Sequence, residues 1–168
     1  VNKDFLRKIF LNVRPILLIA IIVLGAYSGY KGIDYYSLYF VSVLKYTKEE
    51  ASLLVANLSY LRPISAILAG LIADRISSKK CTTFLFLFLF LSYFSLSFLS
   101  NVKELFFLLF FNFVISLVSI FSLRGIFYSL LKEVNVPISI TGIAVGIISF
   151  IGYFPDVFIG PIFGLILD

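Results

Sequence analysis

The sequence predicts an all-α integral membrane protein built from five spanning helices, and two observations carry that expectation. Hydrophobic residues make up 61% of the chain and charged residues only 14%, whereas a soluble domain carries roughly 25% charged residues. The apolar residues also come in runs long enough to cross a bilayer. At a rise of 1.5 Å per residue, a hydrocarbon core about 30 Å thick calls for about 20 of them.

The first run covers residues 15–40. Pro15 suits a helix start, where its fixed φ fits and its missing N–H is not needed. Lys3, Arg7, Lys8 and Arg14 precede the run as they would in a secretory signal, but it continues past Tyr30 without a small-residue cleavage site and so reads as a retained span. The second run, 50–73, contains Pro63, and the fifth, 139–167, contains Pro155 and Pro161; each proline predicts a kink. The third run, 81–99, includes "FLFLFLFL", which has the period of a strand. A span must satisfy its backbone internally, and no charge occurs from Cys81 through Val102, so a helix is expected. It is the one run without an ionisable group, which places it on the lipid-facing outside of the bundle. The fourth run covers 105–131. Gly25 with Gly29, Gly142 with Gly146 and Gly160 with Gly164 have the small-x-x-x-small spacing of close helix packing, and Asn57 and Asn112 are expected to bond across helices.

The same composition excludes several kinds of chemistry. A single cysteine rules out an internal disulfide, and the lack of any His removes the usual zinc, haem and Ser-His-Asp constellations. No metal, cofactor or enzymatic role is expected. The net charge of +5 is scattered between apolar runs and forms no stripe for nucleic acid. It follows topology instead. Lys3, Arg7, Lys8, Arg14, Arg75, Lys79, Lys80 and Lys132 fall on one side of the membrane, against Lys45, Lys48 and Lys103 on the other. The positive-inside rule then puts the N-terminus in the cytoplasm. A start at Val1 and a stop at Asp168 directly after an apolar run predict a fragment.

A charge at bilayer depth costs about 2.5–3.5 kcal/mol on insertion scales and marks a pathway or a paired site. Five residues qualify: Lys31, Asp34, Arg62, Arg124 and Asp156. Arg62 lies about 18 Å along its helix from Asp74, near mid-membrane, as a ligand for an anionic group or a partner to an acid. Lys31 and Asp34 share a helix face, which suits a local ion pair or an outer gate. Arg124 falls about 30 Å along its run, near the cytoplasmic surface, where it suits an anchor. Asp156 follows Pro155, where a broken helix suits an acid that binds a proton, a cation or Arg62, or that pairs with Lys31. Tyr27, Tyr30, Tyr35, Tyr36, Tyr60 and Tyr153 either line a polar cavity or sit at the interface.

The second run ends in "GLIADRISSKK". Asp74 there meets the negative end of a helix dipole, unfavourable by roughly 0.3–1 kcal/mol. It therefore calls for a partner, for which the helix start around "VPISIT" is suited, with Arg75 reaching toward Glu133. The alternative is that Arg75, Lys79 and Lys80 only obey the positive-inside rule.

This stretch resembles the loop motif G-x-L-x-D-R-x-G-R-K of the major facilitator superfamily. Gly70, Ile72, Asp74, Arg75 and Lys79 fall on the pattern, while Ser77 and Ser78 replace its Gly and Arg. The phrases "AYSGYKGIDYYSLY", "YLRPISAILAGLIADR", "LRGIFYSLLKE" and "TGIAVGIISFIGYFPDVFIGPIFGLILD" are similar to helices seven, eight, ten and eleven of bacterial members labelled nitrate/nitrite-transporter-like or uncharacterised. The resemblance covers nearly all of residues 1–168 and implies most of the second half of such a transporter, with the N-terminal half and the twelfth helix missing. It further implies residence in a bacterial inner membrane and alternating-access transport of a small solute. Gly70, Asp74, Arg75 and Lys79 would gate such a carrier. Arg62, Asp156, Lys31, Asp34 and Arg124 would serve binding or coupling, with a proton or sodium as coupling ion. Three cavity-facing cations suggest an anionic solute. A channel and a membrane-embedded enzyme are the competing readings; the first would need rings of polar residues and the second a reactive geometry.

Overall fold

A computed structural model of the chain describes residues 3–99 and 106–167, all of whose regular structure is helical. Helix α1 (Lys3–Gly32) leads through a 3-10 turn (Ile33–Tyr35) into α2 (Tyr36–Ser42). Then come α3 (Lys48–Leu58), α4 (Leu61–Arg75), α5 (Ser78–Leu99) and α6 (Phe106–Ile126). The short α7 (Ser129–Glu133), a second 3-10 turn (Ile138–Ile140), α8 (Thr141–Gly152) and α9 (Pro155–Leu167) complete the chain. They form five segments long and apolar enough to cross a membrane: Arg7–Ser42, Lys48–Arg75, Ser78–Phe98, Phe106–Ile126 and Ile138–Ile166. This is the pattern of a multi-pass membrane protein. Val1, Lys103, Leu105 and Asp168, on which some expectations rested, lie outside the described residues.

Three of the five spans are discontinuous, and the sequence explains two of the breaks. Pro63 has no N–H to offer the Ser59 carbonyl, which accepts instead from the Arg62 N–H at 3.1 Å; α3 ends and α4 begins there. Pro155 likewise deprives the Ile151 carbonyl of its partner, and the Phe154 N–H takes the place at 3.2 Å. The break in the first span has no proline. There the Tyr93 hydroxyl from α5 donates to the Gly29 carbonyl at 3.0 Å, just before the helix tightens into its 3-10 turn. A side chain inserted into the ladder is a recognised cause of such a bend.

Pro15 and Pro161, by contrast, lie inside α1 and α9. The expectation that Pro15 starts the first helix is therefore corrected. Residues 3–14 already form three turns ahead of it, and one lost hydrogen bond does not undo them. The second span begins earlier than expected as well. Thr47 caps α3: its hydroxyl accepts from the Glu50 N–H at 3.2 Å, and the Glu50 carboxylate accepts from the Thr47 N–H at 3.0 Å, a reciprocal box that fixes a helix start. The fourth span ends at Ile126 instead of residue 131, because the chain turns at Phe127 and Tyr128 before α7.

Helix α6 lies at the centre, against α4, α5 and α1, while α1 packs on α8. Two glycines set the closest crossings. A Cβ on Gly125 would lie 2.9 Å from the Ala66 Cα of α4, and one on Gly152 would lie 2.5 Å from Val23 Cγ1 of α1. Of the spaced glycines the sequence singled out, Gly29 packs beneath Leu89, but Gly142, Gly146, Gly160 and Gly164 face open space. Their spacing alone did not identify a packing face, since that depends on which side of the helix meets a neighbour.

Helix α5 is peripheral: Phe84, Phe88, Phe90, Leu91, Phe94 and Phe98 are all exposed, as suits contact with acyl chains. Its inner face is tied to α6 through Ser92 and Ser95, both bonded to Asn112. Tyr93 and Ser116 meet Tyr36 of the first span there. Asn57, expected to act similarly, is exposed.

Candidate functional site

The charged residues of the spans sit where helices break. Lys31 is in the last turn of α1 and Asp34 in the 3-10 turn after it. Arg62 is the second residue of α4, Arg124 lies in the last turn of α6 and Asp156 in the first turn of α9. For Lys31, Arg124 and Asp156 the placement agrees with the helix dipole, which favours cations at C-termini and anions at N-termini. Backbone groups freed at a break also supply local polarity that an unbroken span lacks.

These residues converge from four spans. The Lys31 ammonium lies 2.9 Å from Asp34 and 3.2 Å from Asp156, with the lysine side chain 25% exposed and the acids 55% and 48%. The Tyr27 hydroxyl donates to the other Asp156 oxygen at 3.0 Å. Tyr27 in turn packs edge-on against Tyr153, their ring centres 4.7 Å apart. The Arg124 guanidinium rests 4.1 Å from the Tyr30 ring centre and 5.6 Å from that of Tyr27, within cation–π range. Arg62 approaches the same Tyr30 ring at 5.8 Å.

Of the alternatives left open for Asp156, the pairing with Lys31 is the one found, with Tyr27 beside it; Asp156 does not meet Arg62, because the break at Pro155 turns α9 toward the last turn of α1. Nor is Arg124 a surface anchor: helical side chains lean back toward the N-terminus, and this one reaches the tyrosines of α1. Finally, the three cations are not equivalent. Lys31 is shared by two carboxylates, whereas among the described residues neither Arg62 nor Arg124 forms an ion pair. Arg62 opens into a cavity of about 190 Å³ with Asp34, Tyr30 and Ser59 on its wall.

The loop motif is arranged differently from the expectation. Asp74 and Arg75 are exposed, and among the described residues neither is joined to Glu133 or to the start of α8. Glu133 instead caps α5. Its carboxylate accepts from the Ser78 N–H, from the Lys79 N–H at 3.2 Å and from the Ser77 hydroxyl at 3.2 Å. The Ser78 and Ser129 hydroxyls bond beside it at 2.7 Å. An acid does bridge the loop to a neighbouring helix start, but it comes from α7. Asn135, in the left-handed region at φ 57°, closes α7 just after Glu133. Burial alone would raise the pKa of Glu133, yet the Ser78, Ser77 and Lys79 donors outweigh it and hold the carboxyl below its ordinary value. The loop is only Ile76 and Ser77, with Lys79 already in the first turn of α5. A Cβ on Gly70 would meet nothing, so packing within this chain does not demand glycine there.

Sequence reasoning missed the bond from Tyr93 to Gly29. A tyrosine in a run of phenylalanines was the available signal. No family model, curated protein or solved structure matches the chain.

Proposed function

We propose that this chain is part of a secondary transporter that moves a small anionic solute across a membrane by alternating access, in the manner of the second half of a major facilitator superfamily carrier in a bacterial inner membrane. One observation carries the reading: charged and tyrosine side chains from four spans meet where three of those spans are broken. Discontinuous helices around a midplane cluster are a recurrent way to build a transport site, since freed backbone groups and helix ends share the charge of a solute or ion.

In this reading Arg62 and Arg124 hold the anion, because guanidinium is a planar donor suited to carboxylate or phosphate and among the described residues neither is paired with a carboxylate. Tyr27 and Tyr30 form the wall. The carboxylates Asp34 and Asp156 exchange a proton or sodium for Lys31 as the site opens and closes. Asp74, Arg75 and Lys79 with Gly70 belong to the cytoplasmic gate, and Glu133 holds that gate's two helices in register.

The test is solute uptake by proteoliposomes containing the full-length protein that includes this chain, with and without ion gradients. Saturable uptake of an anion that Arg62→Ala and Arg124→Ala each abolish is the expected result. Uptake indifferent to both substitutions, or flux that does not saturate, overturns the reading.

A further inference from the structure

A groove of about 470 Å³ runs between α4, α5 and α6, with no charged residue in its lining. Its walls are Leu61, Leu68 and Ile72 of α4 and Cys81, Leu85 and Phe88 of α5, with α6 as the floor. Of the two α6 serines on it, Ser122 turns its hydroxyl to the Ser65 carbonyl at 3.3 Å and Ser119 is buried. The lining suits hydrocarbon and offers little to a hydrated solute.

Length and charge identify the occupant. Residues 61–72 rise about 16 Å, which matches one leaflet of a hydrocarbon core about 30 Å thick. The groove therefore runs from the middle of the bilayer to one surface. At the surface end Arg75 follows Ile72 in the last turn of α4, and Lys79 and Lys80 precede Cys81 in the first turn of α5; all three are exposed. Lys132 of α7, also exposed, precedes Glu133, whose carboxylate is bonded to the start of α5. The acids of that layer are Asp74 and Glu133, and Glu133 is engaged by the Ser77, Ser78 and Lys79 donors. Cations thus outnumber acids where a headgroup would lie. Basic pockets between spanning helices attract anionic headgroups in this way.

We propose that the groove binds one acyl chain of an anionic phospholipid, whose phosphate rests on Lys79 and Lys80. The lipid belongs to the leaflet on the side of the basic loop, and it fills the gap that α4 and α5 leave above α6.

The full-length protein in phosphatidylcholine bilayers, doped with phosphatidylglycerol or phosphatidylcholine that carries a photoreactive diazirine on one acyl chain, tests this. The phosphatidylglycerol probe is expected to label residues 61–72 and 81–88 several-fold more than the phosphatidylcholine probe. That excess disappears in the Lys79→Gln/Lys80→Gln double variant, whose side chains are on the surface. Leu68→Trp, which fills the groove from its exposed side, lowers labelling there by both probes. Equal labelling by the two probes, an excess that survives the double variant, labelling spread evenly over other exposed faces such as Ile21 and Phe107, or a face left unlabelled because another protein segment covers it, each overturns the proposal.

Discussion

The guanidinium of Arg124, at the end of α6, lies 4.1 Å from the ring centre of Tyr30 in α1. This contact joins the central helix to the first span through a half-buried guanidinium resting on an aromatic ring. A cation–π contact at such a site contributes about 1 kcal/mol. Tyr30→Phe keeps the ring and is expected to leave thermal stability in detergent nearly unchanged, whereas Tyr30→Leu lowers it. In a double-mutant cycle with Arg124→Gln, the two losses should fall short of adding. Strict additivity would show that the ring and the guanidinium do not interact.

Lys31 is held by two acids, so the effects of removing each partner differ. Asp156→Asn leaves Lys31 with Asp34, and the expected loss of stability is small. Lys31→Gln leaves two carboxylates close together without their cation. Because both are about half exposed, solvent screens the repulsion and the loss is small but measurable. Asp156→Asn introduced into the Lys31→Gln protein should recover part of it. Thermal unfolding of the three variants decides the matter; no recovery in the double variant means that the acids do not share the lysine.

Helix approach is predicted to be most sensitive at two glycines. Gly125→Ala places a methyl against the backbone of α4 at Ala66, and Gly152→Ala places one against Val23. Both should lower the unfolding midpoint, by an overpacking cost of about 1–3 kcal/mol. Gly142→Ala, which meets open space, should be neutral or raise it, since alanine is the better helix former by roughly 0.5–1 kcal/mol. A similar response at all three positions would contradict the crossings described.

Glu133 makes the junction of α5 and α7 sensitive to acid. Its folded pKa is lowered, so its contribution is fully present above the ordinary Glu value of about 4.3 and is lost as pH falls through the lower folded value. Between pH 7 and pH 5, roughly, this contact should not change. Further acidification should weaken it, with a loss of about 1 kcal/mol, comparable to removing a helix cap. Glu133→Gln should show that loss at neutral pH and no further step in acid. Hydrogen exchange at the Ser78 and Lys79 amides, measured against pH, reports the contact directly.

Some of this protein was legible in its residues alone, because the governing term is additive along the chain. Each span needs about 20 apolar residues whatever its neighbours do, so the number of spans, the helical class and the outward position of the phenylalanine-rich α5 all followed from local composition. The breaks at Pro63 and Pro155 followed too, since a missing N–H is a property of one residue. The Lys31 and Asp34 pair required only a spacing of three. The capping box of Thr47 with Glu50 is equally local.

Tertiary structure alone decided which distant groups meet. That Asp156 takes Lys31, and not Arg62, of the partners the sequence left open and adds Tyr27, that Arg124 lies on Tyr30, and that Glu133 rather than Asp74 caps a neighbouring helix all depend on how helices rotate and cross. Rotation is set by close approach at Gly125 and Gly152, whose partners Ala66 and Val23 are far away in sequence. Hydropathy sums over a helix and does not depend on its azimuth, whereas a contact between two side chains depends on little else.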